Sequence, residues 1–150
     1  MAMRSRTKLV IAGVALFAGL QAIPVDRSNP PVQASRTIFA SEALPAKVAT
    51  VLRRSCQDCH SNQTHWPWYS YVAPVSWIVA NDVHAARRQM NFSDWAGFSE
   101  KKREERLDAI CEQVVNGDMP EAKYALIHRR ARVSKDERAA MCQWVEHARH

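Results

Sequence analysis

At 150 residues, 47% of them apolar and 24% charged, the chain fits one globular domain rather than two. Four glycines against seven prolines, with no internal repeat and no low-complexity tract, exclude collagen-like, mucin-like and wholly disordered classes. Setting aside the three leading cations Arg4, Arg6 and Lys8 takes the formal charge from +6 to +3, too mild a basicity to argue for nucleic-acid binding.

In chain order, residues 1–23 read as a signal sequence or N-terminal membrane anchor, because the uncharged apolar run Leu9 to Ile23 comes directly after those cations. Cations on that flank favour retention of the N-terminal end in the cytoplasm and export of the remaining chain. Leu20-Gln21-Ala22 puts a large residue where a cleavage site prefers small ones, so the reading leans to an uncleaved anchor in a bacterial inner membrane, with the rest in the periplasm. Residues 24–45 hold Pro24, Pro30, Pro31 and Pro45, which favour extended backbone, and read as a tether.

Residues 46–150 read as an all-α domain of four or five short helices. A helical pattern from Ser41 carries Leu44, Val48, Val51 and Leu52 straight into Cys56, and a second helix starts after Pro74 with Val75, Ile78, Val79, Val83 and Ala86. Ser99 caps a third, whose Leu107, Ile110, Cys111, Val114 and Val115 recur at helical spacing until Gly117. Ser134 and Glu137, in capping-box spacing, open a last helix that buries Met141, Trp144, Val145 and Ala148.

Cys56-Gln57-Asp58-Cys59-His60 has the spacing of c-type haem attachment. Two thiols separated by two residues can each add to a vinyl group on the porphyrin edge, and the adjacent imidazole can bind iron. Half a zinc site is the weaker reading, since Cys111 and Cys142 are too widely spaced to complete it, and a thioredoxin-like dithiol would need a βαβ setting. A closed electron-transfer haem needs a sixth ligand, and Met119, between a helix-stopping glycine and Pro120, is the chosen candidate. His65, His84 and His128 remain rivals.

Trp66, Trp68 and Tyr69 come soon after the motif and offer apolar area with polar tips, as haem lining or as ordinary core. Cys111 and Cys142 face inward, either bridged or as buried thiols. The runs Arg87-Arg88, Lys101-Lys102-Arg103 and Arg129-Arg130 read as solvated surface more readily than as a docking face.

Taken together, these residues make the stretch from Asn29-Pro30-Pro31-Val32 onward resemble the small haem-binding domain family of bacterial exported proteins. The elements that carry the resemblance are that tetrapeptide, Cys56 to Asn62, Trp66-Pro67-Trp68-Tyr69-Ser70, Ala73-Pro74-Val75-Ser76-Trp77, Asn91-Phe92-Ser93 and Gly117-Asp118-Met119-Pro120. Members often show a second proline and an aromatic pair after the methionine turn, where this chain has Glu121-Ala122-Lys123-Tyr124. The resemblance implies a cytochrome c-like domain with one covalent haem on Cys56 and Cys59, His60 as proximal and Met119 as distal iron ligand. The expected function is a membrane-tethered periplasmic monohaem cytochrome passing single electrons between redox partner proteins at the inner membrane, with no catalytic residue assigned. A haem peroxidase-like enzyme and a haem-based sensor are the alternatives.

Overall fold

The computed structural model describes residues 2–149, and every regular element among them is helical, in keeping with the all-α expectation. The chain divides into two compact units, one of residues up to 28 with 66–82 and one of residues 29–65 with 83 onward.

In the first unit, α1 (Ala2–Gln21) takes up most of the leader. It corrects the membrane-anchor expectation, because no helix among the described residues is long and apolar enough to cross a membrane. Arg4, Arg6 and Lys8 occupy its opening turns, and the charge-free helical remainder from Leu9 to Gln21 spans only about 20 Å at about 1.5 Å per residue. At its end the Gln21 side chain accepts a hydrogen bond from the Ala73 N–H (2.9 Å), and the Arg27 guanidinium lies 4.4 Å from the Tyr71 ring centroid. A 3-10 turn at Trp68–Tyr71 succeeds Pro67. Pro74, whose φ suits a helix start, then immediately precedes α5 (Val75–Gln89).

The second unit holds the hydrophobic core. Its opening helix α2 (Ile38–Ser41) lies inside the stretch read as a tether, and Ile38 is fully buried, so part of that stretch packs into the domain. The expected single helix from Ser41 to Cys56 is broken into pieces. Pro45 stands at extended ψ and starts α3 (Ala46–Val51) one residue later; a π-helical turn (Leu52–Cys56) comes next, and then α4 (Gln57–His60). Periodicity alone does not register such a turn, because Val48, Val51 and Leu52 still face one core.

The two long amphipathic segments form as expected. In α6 (Glu100–Asn116) the Ser99 hydroxyl caps the start and Gly117, at φ 80°, ends it in the left-handed region that favours glycine. In α8 (Lys135–Ala148) Ser134 and Glu137 make a reciprocal capping box. Leu107, Ile110 and Val114 of α6 meet Met141, Trp144 and Val145 of α8 in one core with Phe92 and Trp95. Between these helices lies the short α7 (Ala122–Ile127). A disulfide between Cys111 and Cys142 staples α6 to α8 across 31 residues, which settles the open alternative in favour of a bridge. Closing a loop of that length stabilises by about 3–4 kcal/mol.

Candidate functional site

The π-helical turn sets up the site. Widening the helix at Leu52–Cys56 delays the ladder by one residue, and Cys56 itself leaves α geometry at φ −124° before α4 resumes. Cys56, Cys59 and His60 then lie on one turn, all half-buried. Neither cysteine is in a disulfide, in contrast to the bridged Cys111 and Cys142. Burial, reinforced by repulsion from Cys59 and opposed by Arg54, pushes the Cys56 thiol up to about 12. Such a sulfur stays protonated near neutral pH, the opposite of the thiolate a dithiol oxidoreductase needs for attack.

His60 is oriented through one ring nitrogen. Its Nδ1 lies 3.1 Å from the Met90 carbonyl oxygen, and a carbonyl only accepts, so Nδ1 carries the proton and Nε2 keeps its lone pair. Burial holds the imidazole below its ordinary pKa, against the raising influence of the Met90 and Ala86 carbonyls and the Glu121 charge. The Phe92 ring backs it at 5.8 Å between centroids. A neutral imidazole whose Nδ1 is committed to a carbonyl is the tautomer in which histidine binds a metal through Nε2.

The residues after His60 are pinned by polar contacts. Arg87, near the end of α5, donates from Nε to the Ser61 carbonyl (2.7 Å) and from its terminal nitrogen to Thr64 Oγ1 (2.8 Å) and Asn29 Oδ1 (2.7 Å). The Thr64 hydroxyl donates its own proton to the Asp58 carbonyl (2.6 Å). Asn62 receives the Asn91 amide at Oδ1 (2.8 Å), and its backbone N–H donates to Ser93 Oγ (2.9 Å). Asn29, Asn62, Asn91 and Ser93, far apart in sequence, therefore act as one frame around the motif.

Met119 comes two residues after Gly117, and the Gln113 carbonyl accepts from the N–H groups of Gly117, Asp118 and Met119. Its side chain is half-buried. The chain beyond it returns to the motif, where the Tyr124 hydroxyl donates to Asp58 Oδ2 (3.0 Å). Of the rival ligands, His65 is 90% exposed with Nδ1 3.1 Å from Asp58 Oδ1, His128 stacks on Tyr124 at 4.3 Å, and His84 is half-buried on α5. Trp66, Trp68 and Tyr69 belong to the first unit, not to the unit of the motif; Trp68 is 79% exposed and the buried Trp66 indole N–H has no hydrogen-bond acceptor.

Haem fits these residues. The two unbridged cysteines and an imidazole whose Nδ1 is taken by a carbonyl are the donor set it needs, and α7 buries none of its residues, its Leu126 and Ile127 giving exposed apolar surface that a macrocycle could cover. Asp58, Met90, Arg87 and Tyr124 are site residues that sequence reasoning misses. Only Asp58, inside the motif, carries a signal.

An all-helical chain that presents a neutral imidazole beside two unbridged thiols has the makings of a haem protein. The family described as haem-binding domain matches residues 15–147, and the chain belongs to that family. No curated protein and no solved structure matches the chain. It is a haem-binding protein.

Proposed function

We propose that the chain is an exported monohaem c-type cytochrome, with a cytochrome c-like domain, that relays single electrons between protein partners in the bacterial periplasm. The observation that carries this is the arrangement of Cys56, Cys59 and His60: two cysteines outside any disulfide and separated by two residues, then an imidazole with Nδ1 committed to the Met90 carbonyl. Haem, when bound, supplies an iron that takes up and returns one electron.

The remaining work falls to the chain. Cys56 and Cys59 would hold the macrocycle by thioethers, each thiol adding across a vinyl group, and His60 would ligate the iron through Nε2. The Met90 carbonyl fixes the ring plane and strengthens the imidazole as a donor. Met119 would hold the iron as the partner ligand of His60, and a thioether in that role would raise the potential relative to a second imidazole. The exposed apolar Leu126 and Ile127 would offer the macrocycle surface that keeps water from it. The leader, with its cations before an apolar stretch, serves as the export signal.

The test is production in a host with haem-attachment machinery, then intact mass and a denaturing gel stained for haem. One haem should travel with the polypeptide through denaturation and be lost when Cys56 and Cys59 are both changed to Ala. Haem that separates from the wild-type chain under denaturation rules out covalent attachment.

A further inference from the structure

We propose that Tyr124 and Asp58 form a latch that holds the segment after Met119 against the motif helix, making both of them positioning residues for methionine ligation; this rests on Met119 as the sixth ligand.

Asp58 sits between the two attachment cysteines, and its carboxylate is shared by two parts of the chain. Oδ1 accepts from the His65 N–H (3.2 Å) and faces His65 Nδ1 (3.1 Å), which closes the loop after the motif. Oδ2 accepts the Tyr124 hydroxyl, 66 residues away in sequence and five residues beyond Met119.

The methionine turn hangs between two ends of different character. At its start, the Met119 N–H donates to the Gln113 carbonyl (3.1 Å), and Gln113 lies on α6, which the disulfide and the core fix to α8. At its far end is α7, six residues long with none buried. A helix that short has no stability of its own. With none of its residues fully buried, its place draws on polar contacts, among them the Tyr124 hydroxyl on Asp58 and the Ala125 carbonyl, which accepts from Arg132 Nε at 3.3 Å. A hydrogen bond to a charged acceptor shifts an equilibrium by about tenfold or more. Through Tyr124, then, the residue between the two motif cysteines would act on the segment that carries Met119.

The experiment uses the full-length haem-loaded protein. Tyr124→Phe removes the hydroxyl and keeps the ring that stacks on His128. Asp58→Ala removes the acceptor, whereas Asp58→Asn retains an amide oxygen. Two quantities are measured: the rate at which added imidazole displaces methionine, read from loss of the weak red charge-transfer band of ferric iron, and amide hydrogen exchange of residues 118–127. Tyr124→Phe and Asp58→Ala should each speed displacement and exchange about tenfold. The double variant should be no faster than either alone, and Asp58→Asn should stay nearer to wild type. A wild type lacking the red band, or a Met119→Ala variant retaining it, overturns Met119 as ligand. A wild type with the band whose Tyr124→Phe variant displaces and exchanges at unchanged rates overturns the latch alone.

Discussion

Two regions of the second unit are held by opposite means. Between α6 and α8, Leu107, Ile110 and Val114 meet Met141, Trp144 and Val145 with a disulfide across them, so apolar burial and a covalent brace do the holding. From Ser61 to His65, the buried side chains are Ser61 and Thr64, and order comes from Arg87, Asn29, Asn62, Asn91 and Ser93. Apolar packing is non-directional and tolerates a change of partner, whereas hydrogen bonds fix an orientation. The region that must aim an imidazole uses the directional kind.

Breaking each region in turn sharpens the contrast. Leu107→Ala in the core should cost about 2–5 kcal/mol in urea unfolding with the haem spectrum of the folded protein preserved. Replacing Cys111 and Cys142 together by Ala should cost about 3–4 kcal/mol, again without loss of attached haem by mass. Arg87→Ala should invert the pattern: about 1–3 kcal/mol of stability, but a perturbed His60 seen in the low-spin signals of the ferric protein.

The smallest effect concerns the ion pair between Arg54, on the π-helical turn before the motif, and Glu137 of α8. Arg54 Nη1 lies 3.0 Å from Glu137 Oε1 and, with the Ser134 backbone N–H, holds the Glu137 carboxyl down at about 2 from an ordinary 4.5. A depressed folded-state pKa gives stability that is complete above the unfolded value and is lost as pH falls through the folded one. The window is therefore about pH 5 down to pH 2. Glu137→Gln should lower stability by about 1 kcal/mol at pH 7 and flatten its decline across that window in urea titrations.

How much of the fold is legible in the sequence depends on what each contact is made of. The helices α6 and α8 and their caps are open to reading, because Leu107 to Val115 repeat at helical spacing and Ser99, Gly117, Ser134 and Glu137 act on their immediate neighbours. The broken course from Ile38 to His60 is not, since a π-helical turn leaves the apolar pattern nearly intact while redirecting the helix after it. Ile38 is hidden among prolines, and its burial depends on distant Trp95 and Phe92. The leader's helix is foreseeable, but its apolar run is too short to span once the cations take its opening turns.

In the site, the cysteines and His60 are legible because their chemistry is local. Met90 is not, because it contributes a backbone carbonyl that any residue would provide. Tyr124 is not, because the partner of its hydroxyl lies 66 residues earlier.

The four sulfhydryl-bearing residues could combine in three ways if all were oxidised in pairs. The fold chooses by distance: Cys111 and Cys142 come to 4.8 Å between Cα atoms on two facing helices, and their union removes both from competition. Cys56 and Cys59 stay unspent. A chain that sorts its sulfur this way keeps both motif cysteines out of the bridge that ties α6 to α8.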